Sequence, residues 1–342
     1  MTKKYLVTGG AGFIGANFTA DLLEKKRNVV IFDNLSRGGS RANLAWLREK
    51  YGEDAFQLIQ ADVRDAAALE TAARDADVIC HFAAQVAVTT SVINPREDFE
   101  INAAGTFNVL EAARKSGRNP VVLYTSTNKV YGGMEDVRVV ERVTDYAYLD
   151  FPEGIPETQP LDFHSPYGCS KGAGDQYMRD YSRIYDLPTI VFRQSAIYGP
   201  RQFGVEDQGW VSWFIIAVLT QKPITIYGNG KQVRDLLYIE DLVRAYHTAI
   251  DQPAVSAGKI YNIGGGVNNV ISVWKEFGPI LESLAGREIP VGFGGWRPGD
   301  QVIYVSDIRK AGRELGWKPQ VSVRDGIERL YRWAEANRNL FA

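Results

Sequence analysis

The sequence is short of several things, and each shortage removes a class of function. Its 342 residues include only two cysteines, Cys80 and Cys169, too few for a disulfide framework or a clustered thiolate metal site, so no metal is expected. The formal net charge of -2 gives no bulk attraction for nucleic acid or an anionic membrane. The longest apolar stretch, residues 211–219, is too short to cross a bilayer and already contains Ser212. No apolar leader follows the first residues, so a cytoplasmic location is expected. There is no internal repeat or low-complexity tract. What remains is an ordinary globular balance, 45% apolar and 23% charged.

Short β-branched runs alternate with helical patterns through the first half. Residues 5–7, 29–32, 56–59, 78–80 and 121–124 read as buried strands, with further strands at 189–192 and 259–263. Between them lie amphipathic segments such as 102–115, with Phe107, Leu110 and Ala113 at helical spacing. Strand, helix, strand in this order predicts an α/β fold, a doubly wound parallel Rossmann sheet. The first turn reads Thr-Gly-Gly-Ala-Gly-Phe-Ile-Gly, with Gly9, Gly12 and Gly15 between a strand and a helix running to about residue 25. That context is what a phosphate-cradling turn requires: a tight turn, a close backbone approach to a pyrophosphate, and a close helix–sheet contact. Asp33 closes the next strand, where a carboxylate accepts hydrogen bonds from an adenosine ribose and repels a 2′-phosphate. Arg37 nearby could serve such a phosphate, but Asp33 argues for NAD. Asp62 and Val63 follow the third strand at the adenine position. Ala83, Ala84 and Gln85, after the fourth, line the ribose and pyrophosphate.

The stretch Ser-Pro-Tyr-Gly-Cys-Ser-Lys at 165–171 opens a helix with a capping serine and a first-turn proline. It places Tyr167 and Lys171 on one face, one turn apart. The lysine charge and the helix N-terminus are both expected to pull the Tyr167 phenol below its usual pKa. A phenolate beside a nicotinamide removes a hydroxyl proton while hydride leaves the carbon. Lys171 also holds the nicotinamide ribose. Thr127, at the end of the fifth strand, completes the catalytic set by bonding the same substrate oxygen. His164 and Cys169 read as structural.

With these motifs in place, the chain resembles the extended short-chain dehydrogenases/reductases, in their nucleotide-sugar epimerase and dehydratase group, over essentially its whole length. The runs Phe-His-Ser-Pro-Tyr-Gly-Cys-Ser-Lys-Gly-Ala, Ser-Thr-Asn-Lys-Val-Tyr-Gly, Arg-Gln-Phe…Asp-Gln-Gly-Trp and Gly-Asn-Gly-Lys-Gln-Val-Arg-Asp are similar to the CDP-tyvelose epimerase (CDP-paratose 2-epimerase) branch. The resemblance implies an NAD-dependent isomerase that removes hydride at C2 of a nucleotide-diphosphate sugar, a CDP-sugar by preference, and returns it to the opposite face of the transient 2-keto sugar. A 4-epimerase of a UDP-hexose is the alternative, because the catalytic set does not distinguish the two carbons. Dehydratases of the group carry an Asp-Glu pair directly after the catalytic threonine; here Asn128 and Lys129 stand there, so the acid and base of a dehydration are missing.

The resemblance adds Phe13, Ile14, Asn34, Arg37, Asn102 and Thr125 to the cofactor contacts. For substrate it implies Asn128, Gln194, Ser195, Arg201, Gln208, Lys231, Gln232, Arg234, Arg297 and Asp300. Arg234 and Arg297 bind the diphosphate in this reading, since a planar guanidinium pairs with phosphate oxygens. Ala196 departs from the group, many members of which have asparagine there. The expected division is an NAD-binding Rossmann domain over 1–195, with 236–263 packing back on it as a helix from 236 to 250 and a strand. The other part is a smaller, discontinuous nucleotide-sugar-binding domain over 196–235 and 264–342. Residues 134–163 are a partly ordered excursion bordering the site or a subunit contact. The expected assembly is a homodimer or homotetramer, with no nucleic-acid or membrane partner.

Overall fold

The computed structural model describes residues 2–297 and 299–341. Its contacts divide the chain into two units. The first takes the chain up to 130, with 165–193 and 243–261; the second takes 131–164, 194–242 and the remainder from 262. The segment 131–164, expected with the first part, therefore groups with the second.

The first unit is built on β1 (Lys4–Thr8), β2 (Asn28–Phe32), β3 (Gln57–Ile59), β4 (Val78–His81) and β5 (Val121–Thr127). Two later strands, Thr189–Gln194 and Lys259–Ile263, complete a seven-stranded sheet in the order Lys259–Ile263, Thr189–Gln194, β5, β4, β1, β2, β3. The pairs β1–β2, β2–β3, β1–β4 and β4–β5 are parallel, with Leu6 opposite both Val30 and Ile79. Helices cover the sheet, so its strands read as continuous apolar runs. Leu6, Phe32, Ile79, Val122 and Tyr124 are buried in one cluster with Leu110, Met178 and Leu187 from the helical side. The chain order reverses between β1 and β4, the kind of place where sheets of this class receive a ligand.

Several boundaries differ from the sequence reading, three of them by more than a residue or two or in element type. The fifth strand continues to Thr127. The expected helix at 102–115 begins as a wider π-type turn, Glu100–Ala104, before the α-helix Gly105–Lys115. Residues 236–238 end the strand Val233–Tyr238, and the helix behind them is Ile239–Asp251; the apolar run at 236–239 fits a buried strand as well as a helix.

In the second unit, Val233–Tyr238 is the central strand. It runs parallel to Ala196–Tyr198 and Ile303–Tyr304 and antiparallel to Val270–Ser272. Asp235 on this strand is fully buried; it accepts the Ser195 hydroxyl and the N–H groups of Gly266 and Ser306. The 131–164 segment belongs to this unit and contains an antiparallel hairpin, Val139–Glu141 with Tyr146–Tyr148. Among the described residues no helix is long and apolar enough to cross a membrane.

Candidate functional site

The glycine turn is a cradle that side chains would fill. Gly9 has φ +68°, and a Cβ there would lie 2.7 Å from the amide nitrogen of Ala83. A Cβ on Gly15 would fall 2.1 Å from the Gly9 carbonyl oxygen, so helix and turn meet backbone to backbone. A Cβ on Gly12 would meet only that carbonyl, at 3.2 Å, which leaves the outer side of the turn open. Gly12 precedes the helix Phe13–Glu24, whose first-turn N–H groups, from Phe13 to Gly15, have no intrahelical acceptor. Free N–H groups and a helix N-terminus beside an open turn suit a diphosphate, and NAD fits this donor set.

Asp33 braces the cradle from below. Its carboxylate accepts N–H from Ala11 at 3.0 Å and from Leu35 at 2.8 Å, and burial raises its pKa against the pull of these bonds. Other expected cofactor residues are used within the protein. Asp62 takes a two-armed contact from Arg64 and the amide of Asn34, which hold its carboxyl well below the usual range. The Val63 side chain is core, packed so closely that a Cβ on Gly105 would meet it at 2.8 Å. Ala83 donates its N–H to the Thr8 hydroxyl at 3.3 Å, and Ala84 is half-buried beside it. Thr125 is buried, with its hydroxyl on the His81 carbonyl.

The helix Pro166–Tyr185 starts as its sequence dictates: Ser165 Oγ accepts the N–H of Gly168 at 2.9 Å, and Pro166 occupies the first turn. Tyr167 and Lys171 are both buried on it. The nearby Thr127 hydroxyl and the charge of the exposed Arg37 both lower the Tyr167 phenol pKa. The net direction is nevertheless upward. Burial pushes Tyr167 to about 12, with Asp98 adding to the rise. The expected depression of the tyrosine is thus corrected: loss of hydration around a phenolate outweighs the lowering contacts. Lys171 carries the opposite shift, down to about 7, because burial disfavours its cation more than Asp98 and Asp175 support it.

Beneath this pair lies a polar hub that sequence reasoning missed. Asp98 accepts the Ser170 hydroxyl at 2.5 Å, the Gln85 amide at 2.9 Å and the Asn102 amide at 3.1 Å. Asn102 also donates to the Gln85 carbonyl and accepts the Gln85 N–H. Asn102 and Gln85, expected against the cofactor, therefore knit the loop after β4 to the π-type turn. Ser170 was detectable, since it lies three residues after Tyr167 on the same helix face; Asp98, 72 residues away, had no local signal. Nearby, Asp175 pairs with Arg193 at 2.8 and 2.9 Å and accepts Ser126, all buried.

The expected substrate residues divide by what they touch. Asn128 accepts the Thr127 hydroxyl at 3.4 Å. In the second unit, Arg234 donates to Asp300 at 2.7 Å. Arg297 stacks 3.8 Å above the Tyr227 ring and pairs with Asp207 at 3.1 Å. The Asp300 N–H bonds the Arg297 carbonyl at 3.2 Å, so these three residues share one neighbourhood. Gln194 is buried, and Gln208 closes a turn with Val205. Four others are engaged elsewhere: Ser195 on Asp235, Arg201 over the Trp333 ring at 5.6 Å, Gln232 on the Tyr227 carbonyl, and Lys231 on Glu141 at 2.8 Å.

A family model described as GDP-mannose 4,6 dehydratase matches residues 6–330. The CDP-paratose 2-epimerase of Salmonella typhi is 44% identical over 341 residues, covering 97% of this chain and 99% of that protein. Among solved structures, DesIV, a dTDP-glucose 4,6-dehydratase from Streptomyces venezuelae with NAD bound, superposes with a TM-score of 0.84 at 31% identity, covering 98% of both chains. The UDP-glucose 4-epimerase of Thermus thermophilus in complex with NAD gives 0.80 at 31% identity, over 96% of this chain and 98% of that one. Sheet order, glycine cradle and full-length similarity agree: the chain belongs to the GDP-mannose 4,6 dehydratase family of nucleotide-sugar-modifying enzymes.

Proposed function

We propose that this protein is an NAD-dependent nucleotide-sugar epimerase that inverts C2 of a CDP-linked sugar, as the name of its 44%-identical relative suggests. One observation carries the reaction type: directly after Thr127, whose hydroxyl acts on the Tyr167 phenol, stand Asn128 and Lys129, not the acidic pair a dehydration uses. The family contains dehydratases, but this chain lacks their acid and base at those positions.

The turn at Gly9, Gly12 and Gly15 would hold the NAD diphosphate, Asp33 the adenosine ribose, and Lys171 the nicotinamide ribose. When bound, NAD takes a hydride from a carbinol carbon and returns it. Tyr167 would accept the proton of the sugar hydroxyl as the phenolate, a form that the positive charge of a bound nicotinamide would favour against the burial cost, and would give it back while Thr127 bonds the same oxygen. Lys171 stands one turn along the same helix, in surroundings dry enough to bring its pKa near 7. Arg234 and Arg297 bind the diphosphate, and Asp300 orients Arg234. An anchored nucleotide lets the sugar turn its other face while the ketone is flat.

The second reading is a UDP-hexose 4-epimerase. It is favoured by the similarity to the Thermus enzyme and by a catalytic set indifferent to position. Incubation with CDP- and UDP-hexoses in D₂O, followed by NMR, separates the readings. The expected result is inversion at C2 of a CDP-sugar with no solvent deuterium at that carbon. Inversion at C4 with C2 untouched replaces the substrate assignment. Deuterium entering the inverted carbon overturns the hydride mechanism.

A further inference from the structure

The hairpin Val139–Glu141/Tyr146–Tyr148 has no part in the chemistry above, yet it is tied to the loop that presents Arg234. Lys231 Nζ donates to Glu141 at 2.8 Å and to the Arg142 carbonyl at 3.0 Å. The Asn229 amide donates to the Tyr146 hydroxyl at 2.8 Å. Tyr148 donates to the carbonyl of Ile303, at 3.0 Å, on the strand paired with Val233 and Arg234. Val139, Tyr146 and Tyr148 pack against Val233, Ile303 and Val305. Tyr148 also feels the Arg234 charge, which opposes the rise that burial causes in its phenol pKa. The hairpin is itself pinned, through an Arg142–Asp145 pair at its turn and an Arg138–Asp150 pair at its base.

The loop needs such support. Gly228 and Gly230 have φ of +82° and +77°, and a glycine-rich turn orders poorly by itself. We propose that this hairpin is a clamp for the nucleoside-diphosphate site: Glu141 and Tyr146 hold the loop at 227–235 in the shape that presents Arg234 beside Asp300, and the Lys231 cation serves the clamp instead of touching phosphate. The proposal rests on the nucleotide-sugar reading and deepens it. It assigns the segment between Thr127 and Tyr167 to substrate affinity, and it separates Lys231 from Arg234 although they are three residues apart.

A charge swap tests it. Calorimetry with CDP, on protein retaining its NAD, is run for wild type, Glu141→Lys, Lys231→Glu and the double exchange, with Tyr146→Phe as an uncharged companion. Each single change should weaken CDP about two- to fivefold, consistent with losing a half-exposed ion pair that supports a site. In turnover, KM should rise while kcat stays within about twofold, because ground-state binding alone is altered. The double exchange should recover most of the affinity, since the ion pair is rebuilt with its ends reversed. A double exchange as weak as Lys231→Glu means Lys231 meets phosphate directly and overturns the clamp. Unchanged CDP binding in Tyr146→Phe and Glu141→Lys also overturns it. Wild-type protein that binds neither CDP nor UDP overturns the nucleotide-sugar reading itself, a result distinct from any failure among the variants.

Discussion

Lys171 and Tyr124 face each other in the core of the first unit. The ammonium lies 4.2 Å from the ring centroid, and the Tyr124 hydroxyl donates to the Lys171 carbonyl at 3.2 Å. A cation over an aromatic face keeps part of its stabilisation when water is removed. Here that contact, Asp98 and Asp175 together do not offset burial, and Lys171 falls to about 7.

Lys171→Met should therefore strengthen the fold while crippling the enzyme. Between the folded pKa near 7 and the unfolded value near 10.5, the unfolded chain binds the extra proton, so wild-type stability rises with pH across that window. Below it the burial cost is fully present. The methionine variant should be more stable than wild type at pH 7, by about 1–3 kcal/mol, and the gap should shrink by pH 9. Urea unfolding at both values, in cofactor-free protein, measures it; a gap that widens with pH contradicts the assignment.

Tyr167→Phe removes the proton-transfer oxygen and little else. Turnover should fall about 10²–10⁴-fold, with NAD(H) still released when the purified protein is denatured. Near-native turnover would remove Tyr167 from the mechanism.

Gly15→Ala should cost both stability and cofactor, because its Cβ would stand 2.1 Å from the Gly9 carbonyl oxygen and only a backbone shift relieves that. Gly38→Ala, where nothing lies within 4 Å, is the control and should be tolerated. Thermal unfolding and the NAD content of both proteins give the comparison.

His81 should make the protein acid-sensitive before its carboxylates titrate. It is buried between the Thr8 and Thr106 hydroxyls at 2.7 and 3.1 Å, and burial, with Lys171 adding to it, pushes its pKa down to about 3. The stabilisation is present above pH 6.5 and is lost as pH falls toward 3, at a limiting slope of about 1.4 kcal/mol per pH unit. In His81→Asn, stability between pH 6.5 and 5 should fall less steeply by up to one proton. An unchanged slope would show that His81 does not titrate on unfolding.

What the sequence made legible was local. The glycine turn, the capped helix start at Ser165 and the Tyr167–Lys171 spacing each lie within a few residues, where one period or one turn determines geometry. Thr127 was legible because it follows the apolar run of the fifth strand closely, although the strand itself continues three residues past that run. The ionisation of Tyr167 was not, because it depends on how much chain covers the phenol. The hub at Asp98 joins residues 4 to 72 positions apart, and the Lys231–Glu141 pair spans 90. Motif reading sent Lys231 to the substrate since cations in such a loop suit phosphate; only the folded hairpin shows an acidic partner already there.

The sheet order has a consequence for synthesis. The strand Lys259–Ile263 stands at one edge, and the chain that reaches it first passes through 194–242, which belongs to the second unit. A nascent chain that has emerged only to residue 195 owns the glycine turn, the tyrosine and the lysine, yet the edge of Thr189–Gln194 is bare and the helix Ile239–Asp251 is missing. The ribosome must release residue 261 before the first unit can close. Closure of the first unit is therefore a late event in translation, and a fragment ending at 195 should emerge as a client for chaperones.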